Sequence, residues 1–159
     1  MDKKHHISVT GIIIKDGKFL ITKRAPHKKA FPNMWTVPGG NLELEDYISL
    51  PKDTNSHWYN ILEKVLKREI KEETELDVEN IKYLTSMTFI RPDGEPGLII
   101  SLYADYKNGE VQLDADSIEY KWASLEEAKN YELIEGIYQE LEMLDKILNG
   151  EKVGEWSKN

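Results

Sequence analysis

The segment Arg68-Glu69-Ile70-Lys71-Glu72-Glu73-Thr74 constrains this chain more than any other stretch. At roughly 100° per residue, a helix through it places Glu69, Glu72 and Glu73 within about 100° of one another. The preceding turns put Leu62, Val65 and Leu66, and further on Leu76, on the same arc, while Lys64, Lys67 and Lys71 take the opposite side. The apolar stripe of this helix therefore turns acidic toward its C-terminal end. Clustered carboxylates that lose hydration repel one another, a costly arrangement unless a cation compensates. Hard divalent cations such as Mg²⁺ take oxygen ligands of this kind. Surface pairing, as in Glu63–Lys67 or Lys71–Glu75, is the plainer reading of a helix rich in lysine and glutamate. It does not account for acids on the apolar arc.

Composition narrows the setting. A chain of 159 residues suits one domain with a proper core. With 40% apolar and 31% charged residues it is ordinary globular material. No apolar run approaches the roughly 20 residues of a membrane span, and Thr10, Gly11 and Lys15 interrupt the segment after the charged start too soon for a signal peptide. Without cysteine there is no disulfide or thiolate chemistry, which fits a reducing cytoplasm. A net charge of −8 argues against nonspecific binding to nucleic acid or membrane. A small polyanionic substrate stays compatible if a metal and local basic groups neutralise it. Lys23-Arg24-Ala25-Pro26-His27-Lys28-Lys29 is one such basic patch, or simply a basic surface loop.

Read along the chain, Ile7–Ile14 and Lys18–Lys23 flank Asp16-Gly17, a hairpin signal. A polar loop, the short apolar piece Met34–Val37 and a break at Pro38-Gly39-Gly40 follow. Residues 41–57 read as irregular, and a helix is expected from about Trp58 to Glu75. Strands are expected at Ile81–Ile90 and Leu98–Tyr106 around the Asp93-Gly94 turn, and at Glu119–Ala123. Ser124-Leu125-Glu126-Glu127 is a capping box that opens a short helix. A terminal helix over Leu133–Leu148 carries apolar residues at 133, 134, 137, 141, 144 and 148 and ends at Gly150. Strands and helices mix without regular alternation, so the fold class is α+β, a mixed sheet covered by helices.

Gly40, the Arg68-Glu69-Ile70 triplet, Glu72-Glu73 and Leu76 together resemble the Nudix box of the Nudix hydrolases. Trp35-x-Val37-Pro38-Gly39-Gly40 ahead of it, and Glu119-x-x-Trp122 running into Ser124-Leu125-Glu126-Glu127 behind it, are similar to MutT-like members. The resemblance covers roughly residues 7–148 and implies one Nudix domain over 1–159, a mixed β-sheet flanked by helices in an α/β/α sandwich. Two departures stand out. Gly40 and Arg68 are 28 positions apart, twice the family's usual spacing, which places an insertion at about 47–59. With five residues between it and Gly40, Asp46 fills the early carboxylate position counted forward, whereas Asn60 fills it counted back from Arg68. Either one is a candidate support for Arg68. The glycine that ends the family's helix is replaced by Glu75, which disfavours a left-handed end there.

The resemblance implies Mg²⁺ (or Mn²⁺) as cofactor, with Glu69, Glu72, Glu73 and the Gly39 carbonyl as ligands. It implies hydrolysis of a nucleoside diphosphate linked to another group, foremost a nucleoside triphosphate (oxidised nucleotides included) cleaved to monophosphate and pyrophosphate. ADP-ribose or a dinucleoside polyphosphate is the alternative substrate, and a nucleotide-binding regulator without turnover the alternative of another class. The general base is either Glu69 or Glu119. Arg24 matches a phosphate-contacting arginine, or makes a surface salt bridge. Trp35 stacks on a nucleobase or belongs to the core. Gly40, Asp46 and Arg68 are structural members of the box. The insertion is either a lid that shapes specificity or a passive loop. The expected partner is a small nucleotide, with no nucleic acid and no membrane, for a cytoplasmic monomer or homodimer.

Overall fold

The computed structural model describes residues 4–158, so Met1, Asp2 and Lys3 of the charged start lie outside it. Strands β1 (His6–Lys15) and β2 (Lys18–Arg24) form the expected hairpin. Its turn needs positive φ at both central positions, and Asp16 (51°) and Gly17 (74°) supply it. Then come β3 (Trp35–Thr36), β4 (Gly39–Asn41), α1 (Ile61–Thr74), β5 (Asp77–Ile90), β6 (Pro96–Asn108), β7 (Ser117–Ala123), α2 (Leu125–Ala128) and α3 (Ile137–Leu148). The sheet runs β3-β2-β1-β6-β5, with β4 joined to β1 and β7 to β2. β1 and β6 are parallel, and the other pairings are antiparallel. This is the mixed α+β sheet expected, with one helix layer on each side.

Alternation along β1 sorts the two cores. Val9 and Ile13 pack with Val65, Leu66 and Ile70 of α1, while Ile12 packs with Phe19, Ile21 and the α3 residues Ile137, Leu141 and Leu144. Gly11 lies under α1, where a Cβ would come within 2.6 Å of Leu66 Cδ1. A methyl group there would lift the helix off the strand.

Four local expectations need correction. The break at Pro38-Gly39-Gly40 continues as β4, its backbone paired with Ser8, Val9 and Thr10 of β1. Helix α1 starts at Ile61, three residues later than expected, because Asn60 is left-handed (φ 55°). It ends left-handed after all, at Glu75 (φ 61°), whose N–H donates to the Lys71 carbonyl at 3.0 Å. Gly109 crosses just there, where a Cβ would sit 2.9 Å from the Glu75 carbonyl. The last helix starts at Ile137 instead of Leu133, since the left-handed Gly136 precedes it and Leu133 bridges Trp35 of β3.

Candidate active site

The buried side of α1 runs through Val65, Leu66, Ile70 and Thr74, so the acidic arc lies at its edge. Glu69 and Glu73 are half-buried, and Glu72 is exposed on the rim. The expectation of three carboxylates on the apolar arc therefore holds for two of them.

Arg68 joins the parts of the box. Its Nε and Nη2 donate to the two carboxylate oxygens of Asp46. Nη2 also reaches the Asn41 carbonyl at 3.2 Å, and Nη1 contacts Glu69 at 2.8 Å and Glu72 at 3.1 Å. Asp46, in a 3-10 turn over Leu44–Asp46, also accepts the Glu43 N–H at 2.7 Å, so both its oxygens are engaged. The choice between Asp46 and Asn60 falls to Asp46, and Asn60 caps α1. Burial alone would lower the Arg68 pKa, but the Asp46 bond and the charges of Glu69, Asp46 and Glu72 raise it. This guanidinium stays charged.

Gly40 is required for a different reason. A Cβ on it would run into the Glu69 carboxylate, so β4 and α1 approach this closely only because the side chain is missing. Burial raises the Glu69 pKa, against the opposing pull of Arg68. Glu73 lies deeper, one turn on, with its Oε2 accepting the Gly39 N–H at 3.1 Å. Burial pushes its carboxyl up to about 8, the Gly39 bond opposes this, and Glu69, Asp114 and Asp116 add repulsion. Asp114 and Asp116 are missed by the sequence reading. They belong to the loop between β6 and β7, held by Gln112 N–H to Thr74 O (3.0 Å), Asp114 N–H to Glu73 O (3.3 Å) and Ala25 N–H to Asp116 O (2.9 Å). Two acids in an interstrand loop carry no helical pattern, and only the fold brings them to the end of α1.

Arg24 is on the Glu73 side. It is half-buried, and its Nε donates to the Ala30 carbonyl at 2.8 Å. Burial lowers its pKa, while Glu73 and Asp116 favour the charged form. Among the described residues no ion pair engages it, so the surface-salt-bridge alternative has no support. Glu119 is exposed on β7, with its carboxylate 3.6 Å from Lys23 of β2. Trp35 is 7% exposed and packs on Tyr131 at 4.6 Å in the α3-side core, which favours the core reading of the two open to it over base stacking. His27 and Lys28 of the basic patch pair with Asp116 at 3.4 and 3.2 Å.

The insertion is internally tied. Trp58 Nε1 donates to the Leu50 carbonyl at 2.9 Å, its ring lies 5.2 Å from Tyr47, and Tyr59 N–H meets Asp53 at 2.8 Å. It leaves Ile48, Leu50 and Tyr59 exposed. A cavity of about 370 Å³ lies against its approach, lined by Glu43, Glu45, Asp46, Lys64, Arg68 and Glu72.

Among the described residues no three acids or histidines converge as a ready chelate, because Arg68 stands between Asp46, Glu69 and Glu72. The donor chemistry nonetheless suits a hard cation: carboxylate oxygens at the edge of a core, beside a backbone with no side chain in the way.

A NUDIX domain model matches residues 4–143. The nucleoside triphosphatase NudI of Klebsiella pneumoniae is 27% identical over 135 residues, covering 79% of this chain and 86% of that protein. A MutT NUDIX hydrolase from Burkholderia pseudomallei superposes with a TM-score of 0.70 at 21% identity, covering 89% and 98% of the two chains. The NUDIX domain of Shewanella oneidensis NrtR, solved with ADP ribose, does so with 0.69 at 19%, covering 92% and 90%. Sheet, box and family match agree: this chain belongs to the NUDIX domain family and is a Nudix hydrolase.

Proposed function

We propose that the chain hydrolyses a nucleoside diphosphate linked to another group, foremost a nucleoside triphosphate, to the monophosphate and pyrophosphate. The observation that carries this reading is the pair of half-buried carboxylates Glu69 and Glu73 held against Gly40 and Gly39, with Arg24 alongside. Glu69, Glu72 and Glu73 would hold Mg²⁺ (or Mn²⁺), with the Gly39 carbonyl as a further ligand. When bound, the ion neutralises charge on the attacking and departing oxygens of the phosphoryl group.

The chain's own groups do the rest. Arg24, already charged and without an ion pair among the described residues, grips a phosphate through its guanidinium. Glu69 is the better general base of the two candidates: burial holds its proton affinity above that of an ordinary carboxylate in spite of Arg68, and it lies against Gly40, whereas Glu119 is exposed on β7. It takes a proton from the attacking water as the oxygen–phosphorus bond to the leaving pyrophosphate breaks. Arg68 acts indirectly, fixing the loop of Asp46 against α1 so that Gly40 and Glu69 stay in register.

The experiment is product identification across nucleoside triphosphates (ordinary and oxidised), ADP-ribose, dinucleoside polyphosphates and nucleotide sugars, with Mg²⁺ and with chelator. Mg²⁺-dependent release of pyrophosphate and monophosphate from triphosphates is the expected result. Cleavage confined to ADP-ribose or dinucleoside polyphosphates would move the substrate class. No cleavage of any of them would overturn the reading.

A further inference from the structure

The α3 side of the sheet holds a carboxylate that the hydrolytic chemistry does not use. Glu140 stands on the buried stripe of α3 between Ile137, Leu141 and Leu144, and is only 8% exposed. Its carboxyl faces the hydroxyl of Ser101, itself 2% exposed on β6. The Thr10 hydroxyl of β1 donates to Ser101 in turn, at 3.3 Å. Among the described residues no ion pair engages Glu140. A buried acid is ordinarily paired or fully hydrogen-bonded. One serine hydroxyl offers a single donor to two carboxyl oxygens.

What surrounds it is a row that starts at the candidate active site. Gly39, whose N–H binds Glu73, is the register partner of Thr10; Thr10 is the partner of Ser101, and Ser101 of Thr85 on β5. Cross-strand partners share a face of the sheet. Two strand spacings, about 10 Å, separate Gly39 from Ser101, the scale on which a ribose and base extend away from a diphosphate. Beyond Ser101 the same face is partly open. Ile99 pairs with Met87 and Gly97 with Phe89, and all four lie outside both core clusters. Met87 is 41% exposed, and Ile99 and Phe89 are half-buried. Gly97, where a Cβ would lie 2.5 Å from Phe89 Cε1, leaves room for that ring over its Cα. The result is an apolar shelf with a carboxyl and a hydroxyl at its inner end.

We propose that Glu140, backed by Ser101, determines base specificity, reading the hydrogen-bonding edge of a planar nucleobase laid on Ile99, Met87 and Phe89. This rests on the hydrolysis proposed above and names its substrate side: the nucleobase, whose donors and acceptors stand in a different order along the edge of each base. A carboxyl in its protonated form offers one donor beside one acceptor, O–H next to C=O, to meet one such order. Glu140 touches none of the reacting atoms, so its effect falls on KM and on the ranking of bases.

The test compares the wild-type protein with Glu140→Gln and Glu140→Leu, after circular dichroism melting shows that each is folded. Two readouts are taken: kcat and KM for adenine, guanine, cytosine and uracil nucleoside triphosphates with Mg²⁺, and calorimetric binding of the four nucleoside monophosphates with chelator present. Glu140→Leu raises KM about tenfold or more for the preferred base, levels the ranking and leaves kcat nearly unchanged. Glu140→Gln keeps a donor beside an acceptor, so it retains binding and reorders the ranking. Unchanged KM and ranking in both folded variants, or a wild-type protein indifferent to the base, would overturn the role of Glu140. A wild-type protein that binds monophosphates and hydrolyses nothing would overturn the hydrolytic reading instead, and binding by the variants would then decide on Glu140.

Discussion

On the α1 side of the sheet, Asp46, Glu69 and Glu72 surround one guanidinium, whereas on the α3 side Glu140 meets, among the described residues, a hydroxyl and no cation. Each side lodges carboxylates at the edge of a core, and each has a different way of tolerating them. Arg68 neutralises its neighbours and ties a 3-10 turn, β4 and α1 together through five contacts. Nothing of the sort reaches Glu140, which burial holds above the usual carboxylate range. Glu73 stands between these extremes: it has a backbone N–H but, among the described residues, no ion pair, and three acids repel it. The difference separates acids that hold the fold together from acids available to a ligand. Asp46 is of the first kind, and the proposals above put Glu73 and Glu140 in the second.

That division is tested most severely at Glu72 and Glu73. Replacing Glu73 with Gln keeps a neutral hydrogen-bonding side chain where burial already favours the protonated form. Replacing Glu72 with Gln removes only an exposed partner of Arg68. In both, melting temperature changes little while turnover falls about 100-fold or more. Thermal melts and steady-state rates on the same preparations check both halves, and near-wild-type rates in both variants would remove the metal assignment. Arg68→Ala should do the opposite. It leaves the Asp46 side chain, 6% exposed, without its partner, at a cost of about 2–4 kcal/mol in urea unfolding. An unfolding midpoint equal to wild type would mean the guanidinium is not what compensates the turn.

Gly40→Ala sharpens the comparison more gently. The new Cβ displaces the Glu69 carboxylate, lowering kcat by about tenfold with a loss of about 1 kcal/mol or less, since the side chain is free to rotate away. The smallest effect belongs to Glu140. Its folded-state pKa is raised above the ordinary 4.5, so its protonated form favours the fold. That contribution is complete below about 4.5 and is lost as pH rises through the folded-state value. Glu140→Gln should therefore flatten the fall in stability above that pH in melts taken as a function of pH. Parallel pH profiles would contradict the assignment.

Much of this was open to reading from local chemistry. Asp16-Gly17 permits little but a tight hairpin, and Ser124 with Glu127 forms both bonds of its capping box. The Arg68–Glu73 segment declares its acids. Other features depended on contacts that no window of sequence contains. The insertion hid whether Asp46 or Asn60 partners Arg68, and only the closure of β4 onto α1 resolves it. Pro38-Gly39-Gly40 looks like a break because glycine is poor in strands, yet here the backbone alone must fit between β1 and Glu69. Asp114 and Asp116 reach the site through backbone bonds to the end of α1. Glu140 is a different case. It stands three residues after Ile137 and four before Leu144, so its place on the apolar stripe was legible, and a stripe traced through apolar residues alone passes over it.

The central claim, that the carboxylates of α1 bind the ion that hydrolysis requires, is met most directly by calorimetric titration of Mn²⁺ into the wild-type protein and into Glu73→Gln, with turnover measured on the same samples. The account predicts saturable binding and hydrolysis in the wild type, and weakened binding with lost turnover in a variant that melts no lower. Equal Mn²⁺ affinity and equal rates in the two proteins would contradict it.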